Sequence, residues 1–194
     1  MTRLGWAILA IILVAAALFA SMLSFGPAER RPSPTPTPSA GPVRSEPSAL
    51  VVPVAGIPRG ALRDSWGDAR EGGARAHHGL DIIAPGGTRV VAAAAGTVEK
   101  LFESARGGTT LYVRTRDGRW IHYYAHLSGY APGMREGLAV RAGQWIGTVG
   151  DTGDAAPGNH HLHFGVQRMA AGERWWEGED VNPYPLLAGT APDR

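Results

Sequence analysis

Thr109-Thr-Leu-Tyr-Val-Arg-Thr-Arg116, Asp117-Gly118 and Arg119-Trp-Ile-His-Tyr-Tyr-Ala-His-Leu127 form two β-rich runs either side of an Asp-Gly pair. Asp-Gly accepts the positive φ angles of a tight two-residue turn, so the stretch reads as an antiparallel hairpin. Outward from it the pattern repeats. Arg89–Val98 reads as strand, bend, strand, and Gln144–Val149 and His161–Val166 are further strands. Asp81-Ile82-Ile83-Ala84 is an apolar strand that ends in the turn Pro85-Gly86-Gly87. No stretch here sustains a 3.6-residue period. Residues 50–194 are long enough for one core and are expected to form a mainly β domain, a compact antiparallel β-sandwich with long loops. Within it, Trp66 and Trp145 are expected in the core. Trp175-Trp176 should open a closing segment that packs on the sandwich, and Glu177, Glu179 and Asp180 should be solvated.

Two unlike segments precede this domain. Leu4–Ala28 carries no charged residue, and its apolar run suits a bilayer core of about 30 Å. Residues 1–26 are therefore expected to be a transmembrane anchor; a cleaved secretory signal is the alternative, but the run exceeds the usual length of one. Residues 27–49 include Arg31-Pro-Ser-Pro-Thr-Pro-Thr-Pro-Ser39, a proline alternation that forbids helix and favours an extended linker.

The 194-residue chain has 19 Lys+Arg against 17 Asp+Glu, a formal charge of +2 that is too small and too scattered to indicate nucleic acid. With no cysteine, disulfides, thiol nucleophiles, Cys-ligated zinc and iron–sulfur clusters are excluded. Nothing signals an oligomeric state.

All seven histidines fall in three groups: His77-His78, His122 with His126, and His160-His161 with His163. That grouping suggests three segments converging on one site. In the first, His77 and Asp81 can share an ion if the backbone turns at Gly79, although each alone is an ordinary surface group. In the third, His161 and His163 should share one face of a strand while Leu162 and Phe164 take the other. Two imidazoles aimed together point to metal or catalysis rather than core packing; His160 should point away. In the second, His122, Tyr124 and His126 would share a face, a pattern that a half-exposed strand also produces.

His77-x-Gly79-x-Asp81, Tyr124-Ala125-His126-Leu127 and His161-Leu162-His163-Phe164, in that order and spacing, resemble the lysostaphin-like zinc endopeptidases that cut peptidoglycan peptides. Gly143-Gln144-Trp145-Ile146-Gly147 and Val149-Gly150-Asp151-Thr152-Gly153 extend the resemblance across residues 60–187 or so. It implies one zinc ion per chain held by His77, Asp81 and His163, with His126 and His161 as catalytic, non-ligand histidines. Two departures stand out. Gly165 follows Phe164 where many members have glutamate, and the loop before the HxH motif reads Asp154-Ala-Ala-Pro-Gly-Asn159.

Two histidines and an aspartate leave a fourth tetrahedral position for water, the pattern of catalytic rather than structural zinc. One of His126 and His161 would act as base, and the other would stabilise the oxyanion or protonate the leaving amine. Tyr124 and His122 are possible supporting or groove residues. The expected partner is a peptidoglycan peptide, met from the membrane or, if the leader is cleaved, by a secreted protein. The rival readings are a family member that activates another wall hydrolase and a zinc-dependent wall-binding protein.

Overall fold

The computed structural model describes residues 50–189. The anchor (1–26) and linker (27–49) expectations lie outside the described residues. Among the described residues, no helix is long and apolar enough to cross a membrane.

A short ribbon comes first: β1 (Ala69–Arg70) pairs antiparallel with β2 (Arg75–Ala76), placing Arg70 opposite Arg75. Nine further strands follow: β3 (Leu80–Ile83), β4 (Arg89–Val91), β5 (Gly96–Ser104), β6 (Gly108–Thr115), β7 (Trp120–Tyr130), β8 (Ala139–Val140), β9 (Trp145–Val149), β10 (His161–Arg168) and β11 (Glu179–Val181). They join in one hydrogen-bonded network ordered β11-β10-β7-β6-β5-β8, with β3 branching from β10, and β9 linking β7 to β4. Every pairing is antiparallel, so the domain is mainly β. The network is continuous through its branches rather than divided into two separate sheets.

The Asp-Gly hairpin is present, with a longer connection than a two-residue turn. β6 ends at Thr115 and β7 starts at Trp120. Gly118 takes φ +72°, and the Asp117 carboxylate accepts from Arg119 N–H (3.1 Å) and from the Thr115 hydroxyl (2.6 Å). The side chain thus closes a four-residue loop that the dipeptide alone did not specify.

β10 is the interior strand on which the site is built. β3 pairs with its first half through His163↔Asp81, β11 with its second half, and β7 runs along its other edge. Alternation sends Leu162, Phe164 and Val166 into a core shared with Leu80, Ile82, Leu111, Val113 and Tyr124. Full burial of such side chains contributes about 1.5–3 kcal/mol each, which makes this strand a stiff support.

The chain closes with α1 (Pro183–Ala188), which the strand pattern did not anticipate. Its signals are local: Asn182 Oδ1 caps Tyr184 N–H (2.9 Å), Pro183 opens the first turn, and Gly189 ends it at φ +76°. Leu187 anchors it fully buried against the core. Trp145 corrects the expectation of a core residue. It is 37% exposed, lies under the Arg89 guanidinium at 4.9 Å, and donates from Nε1 to Gly147 O (2.8 Å). Trp66 is half-buried and stacks on His78 at 5.3 Å.

Candidate metal centre

His77 lies just beyond β2, tied by its own N–H to Asp68 O (2.9 Å). A carbonyl oxygen only accepts, so the 2.7 Å contact of His77 Nδ1 with Ser65 O fixes the proton on Nδ1 and turns a bare Nε2 inward. That Nε2 lies 2.9 Å from His163 Nδ1 and 3.1 Å from Asp81 Oδ1, and His163 Nδ1 lies 3.2 Å from the same oxygen. The three ligand-type atoms are all within 4.8 Å of one another. Cross-strand register accounts for half of this: Asp81 and His163 are direct partners across β3 and β10.

The backbone bends at Gly79 as expected, and the residue serves the geometry in a second way. An added Cβ would stand 2.5 Å from His163 Cε1 and 2.6 Å from its Nε2. The residue lacks a side chain so that the imidazole can lie against the backbone.

Electrostatics match a cation site. Burial alone would raise the Asp81 pKa, but the adjacent His163 and His77 imidazoles outweigh it and hold the carboxyl well below its usual range. Burial pushes His163 down, toward neutral imidazole. A carboxylate and a neutral His163 ring are protonation states that metal ligation requires. Arg70 in β1 ion-pairs with the other carboxylate oxygen, Oδ2, and thereby leaves Oδ1 facing the histidines. Sequence reasoning missed Arg70. No motif marks it, because its partner comes from another strand.

His126 and His161 lie beside this cluster, their ring centroids 4.8 Å apart. His161 Nε2 is 3.8 Å from Asp81 Oδ1, and the His126 ring is 5.9 Å from that of His163. Each Nδ1 contacts a backbone carbonyl at 2.8 Å, Thr152 O for His126 and Asn159 O for His161. Both are therefore protonated on Nδ1 and carry a lone pair on Nε2. Burial lowers the His126 pKa, which favours the neutral base.

All five expected site residues converge. The expected supporting pair does not. His122 is buried against Phe164 with its Nδ1 unpartnered, and burial lowers its pKa to about 4. Tyr124 is fully buried, and its hydroxyl accepts Ala93 N–H (2.8 Å). Both face the core, opposite Val113 and Leu111 of β6, whereas His126 leaves their face: it sits at φ +59° in a bulge. His160 points away, as expected, 3.8 Å from Asp151. Glu177, Glu179 and Asp180 are exposed and paired with Arg174, Arg168 and His78 respectively.

A family model described as peptidase family M23 matches residues 75–183, more than half of the chain and all five residues. The chain belongs to peptidase family M23. It is 38% identical over 133 residues to the L-Ala–D-Glu endopeptidase of Bacillus subtilis, covering 66% of this chain and 39% of that protein. It is 31% identical over 128 residues to the murein hydrolase activator NlpD of Salmonella dublin, 66% of this chain and 29% of that one. The M23 chain thus spans well under half of these relatives' lengths. In three dimensions it resembles the catalytic domain of lysostaphin from Staphylococcus simulans, at 28% identity and TM-score 0.54, over 66% of this chain and 94% of that domain.

The residues of this M23 site fit a small divalent cation. Two imidazole nitrogens and one carboxylate oxygen converge, oriented from behind by Ser65 O and Arg70, and the donor set suits zinc.

Proposed function

We propose that this chain is a zinc-dependent endopeptidase that hydrolyses peptide cross-links of bacterial peptidoglycan. The observation that carries the reading is the convergence of His77 Nε2, His163 Nδ1 and Asp81 Oδ1 beside two histidines that are not part of the triad.

His77, Asp81 and His163 would hold the ion. A zinc ion supplies Lewis acidity, polarising a carbonyl and lowering a water pKa from about 15.7 toward 7. The remaining work falls to the chain. His126 and His161 both present Nε2 as an acceptor, so either can take the proton of the attacking water. Whichever does so becomes an N–H donor, able to protonate the departing amine or to hydrogen-bond the developing oxyanion. Arg70 holds the carboxylate in place throughout.

In this reading residues 50–194 are the catalytic domain, 1–26 anchor it in the cell membrane and 27–49 space it toward the wall. The tether raises the local concentration of enzyme at an immobile substrate. The similarity to a protein named as a hydrolase activator supports a second reading, activation of another enzyme without turnover.

Full-length protein incubated with purified sacculi distinguishes the two. Cleavage releases new amino groups, located by mass spectrometry of the muropeptides, and is lost in His126→Ala and with chelator. Purified protein that carries one equivalent of zinc yet releases no amine would overturn the enzymatic reading.

A further inference from the structure

A neutral imidazole has two tautomers of similar energy, and one of them places its lone pair on Nε2. For His126 that choice rests on the Thr152 carbonyl (2.8 Å), and a loop carbonyl is only as fixed as its loop. Thr152 ties the loop down with its own side chain. Its hydroxyl donates to Leu127 O (2.9 Å) and accepts from Thr109 N–H (3.0 Å), so it grips β7 and β6 at once. Leu127 is the residue after His126, and His126 N–H donates to Gly107 O (2.8 Å). These contacts surround a histidine held at φ +59°, a conformation that persists only where its surroundings over-determine it.

The backbone beneath is equally fixed. A Cβ on Gly108 would stand 2.2 Å from Thr152 Oγ1, and one on Gly153 would stand 2.1 Å from Arg106 O, so loop and hairpin meet with no side chain between them. The other end of the loop is secured separately. Asn159 O receives the His161 Nδ1 proton, Asn159 Nδ2 donates to Ala155 O (2.9 Å), and Gly158 N–H donates to Asp151 (2.7 Å).

We propose that Thr152 is a positioning residue whose hydroxyl, by clamping its own carbonyl, sets the Nδ1–H tautomer of His126 and aims Nε2 at the site. The inference rests on the functional reading only for its catalytic consequence; the tautomer itself is read without turnover. A purely structural threonine would contribute stability and leave the imidazole unchanged.

The experiment is ¹⁵N NMR of the histidine rings in the full-length protein, with Thr152→Val removing the hydroxyl at nearly constant shape and Thr152→Ser restoring it. In the wild type, His126 should show the shift pattern of an Nδ1-protonated ring and a scalar coupling from Nδ1 to the Thr152 carbonyl carbon. Thr152→Val should give a mixture of tautomers at His126 alone, His161 being unchanged, and Thr152→Ser should match the wild type. In the cleavage assay, kcat of Thr152→Val should fall about 10–100-fold with KM and bound zinc unchanged. A His126 ring that stays uniformly Nδ1-protonated in Thr152→Val overturns the proposal, as does an Nε2-protonated ring in the wild type. If Thr152→Val does not fold, absence of the wild-type coupling overturns it. A wild type that cleaves nothing while showing these tautomers would sink the enzymatic reading and leave the clamp standing.

Discussion

Strands β7 and β10 lie side by side and both bring histidines to the site, but by opposite means. β10 is regular: His161 and His163 take one face, and Leu162 and Phe164 take the other. β7 alternates only as far as Tyr124. Tyr124 pairs with Leu111 and Leu127 with Thr109, so three steps on β7 face two on β6. The extra residue forms a bulge that frees His126 from the core-facing row holding His122 and Tyr124. One strand delivers its groups by period, the other by breaking it. The regular strand holds both a candidate ligand and a candidate base; the broken one holds a candidate base alone.

The sharpest way to break this contrast is to remove one histidine from each strand. His163→Ala on the regular strand should abolish both bound zinc, measured by metal analysis, and all cleavage above background. His126→Gly on the bulge should lower kcat by about 10²–10⁴-fold while zinc stays bound. The second variant also relieves the left-handed backbone, worth about 1–3 kcal/mol, so denaturant titration should show stability equal to or above wild type. Loss of zinc in His126→Gly would erase the distinction between the strands.

A smaller perturbation tests the regular strand's surroundings. Gly79→Ala should push the His163 ring aside, because its Cβ would start 2.5 Å away. Zinc affinity should drop about 10–100-fold, read by competition with a chromogenic chelator. Unchanged affinity would mean that the imidazole does not need that close approach.

The last test concerns the histidine that the bulge leaves behind. Burial holds His122 near pKa 4, below its ordinary 6.5. Between those values the unfolded chain binds the extra proton and the folded one does not, so stability falls as pH drops from 6.5 to 4. The loss is on the order of 3 kcal/mol. His122→Phe should flatten that part of the stability profile, followed by thermal melts at both ends; an unchanged slope would assign the acid sensitivity elsewhere.

How far the sequence could be read follows the same line. His161 and His163 were legible because a strand's period is two, and Asp81 because its motif sits on an apolar run. The β7 face was misread because a bulge is set by pairing with β6, which leaves no mark in residues 120–127. Gly79 is readable as a bend, but its second role is not, since the crowding comes from a ring 84 positions later in the chain. Arg70, Ser65 and the carbonyls of Thr152 and Asn159 escaped because long-range partners and backbone groups have no signature in composition or spacing. Residue type alone points Trp145 to the core, but a short strand beside Arg89 leaves it a solvent-facing place.

The backbone contact between Gly108 and Gly153 also has a practical consequence. No side chain, however small, can pass between those two segments, so the loop is riveted at 153 and again where its far end hands over to β10. Any exchange of its crest for another sequence, whether by natural drift or by grafting, has its natural joints at 154 and 159. Swaps confined to that window leave the contact intact, whereas a junction one residue earlier would prise the hairpin open.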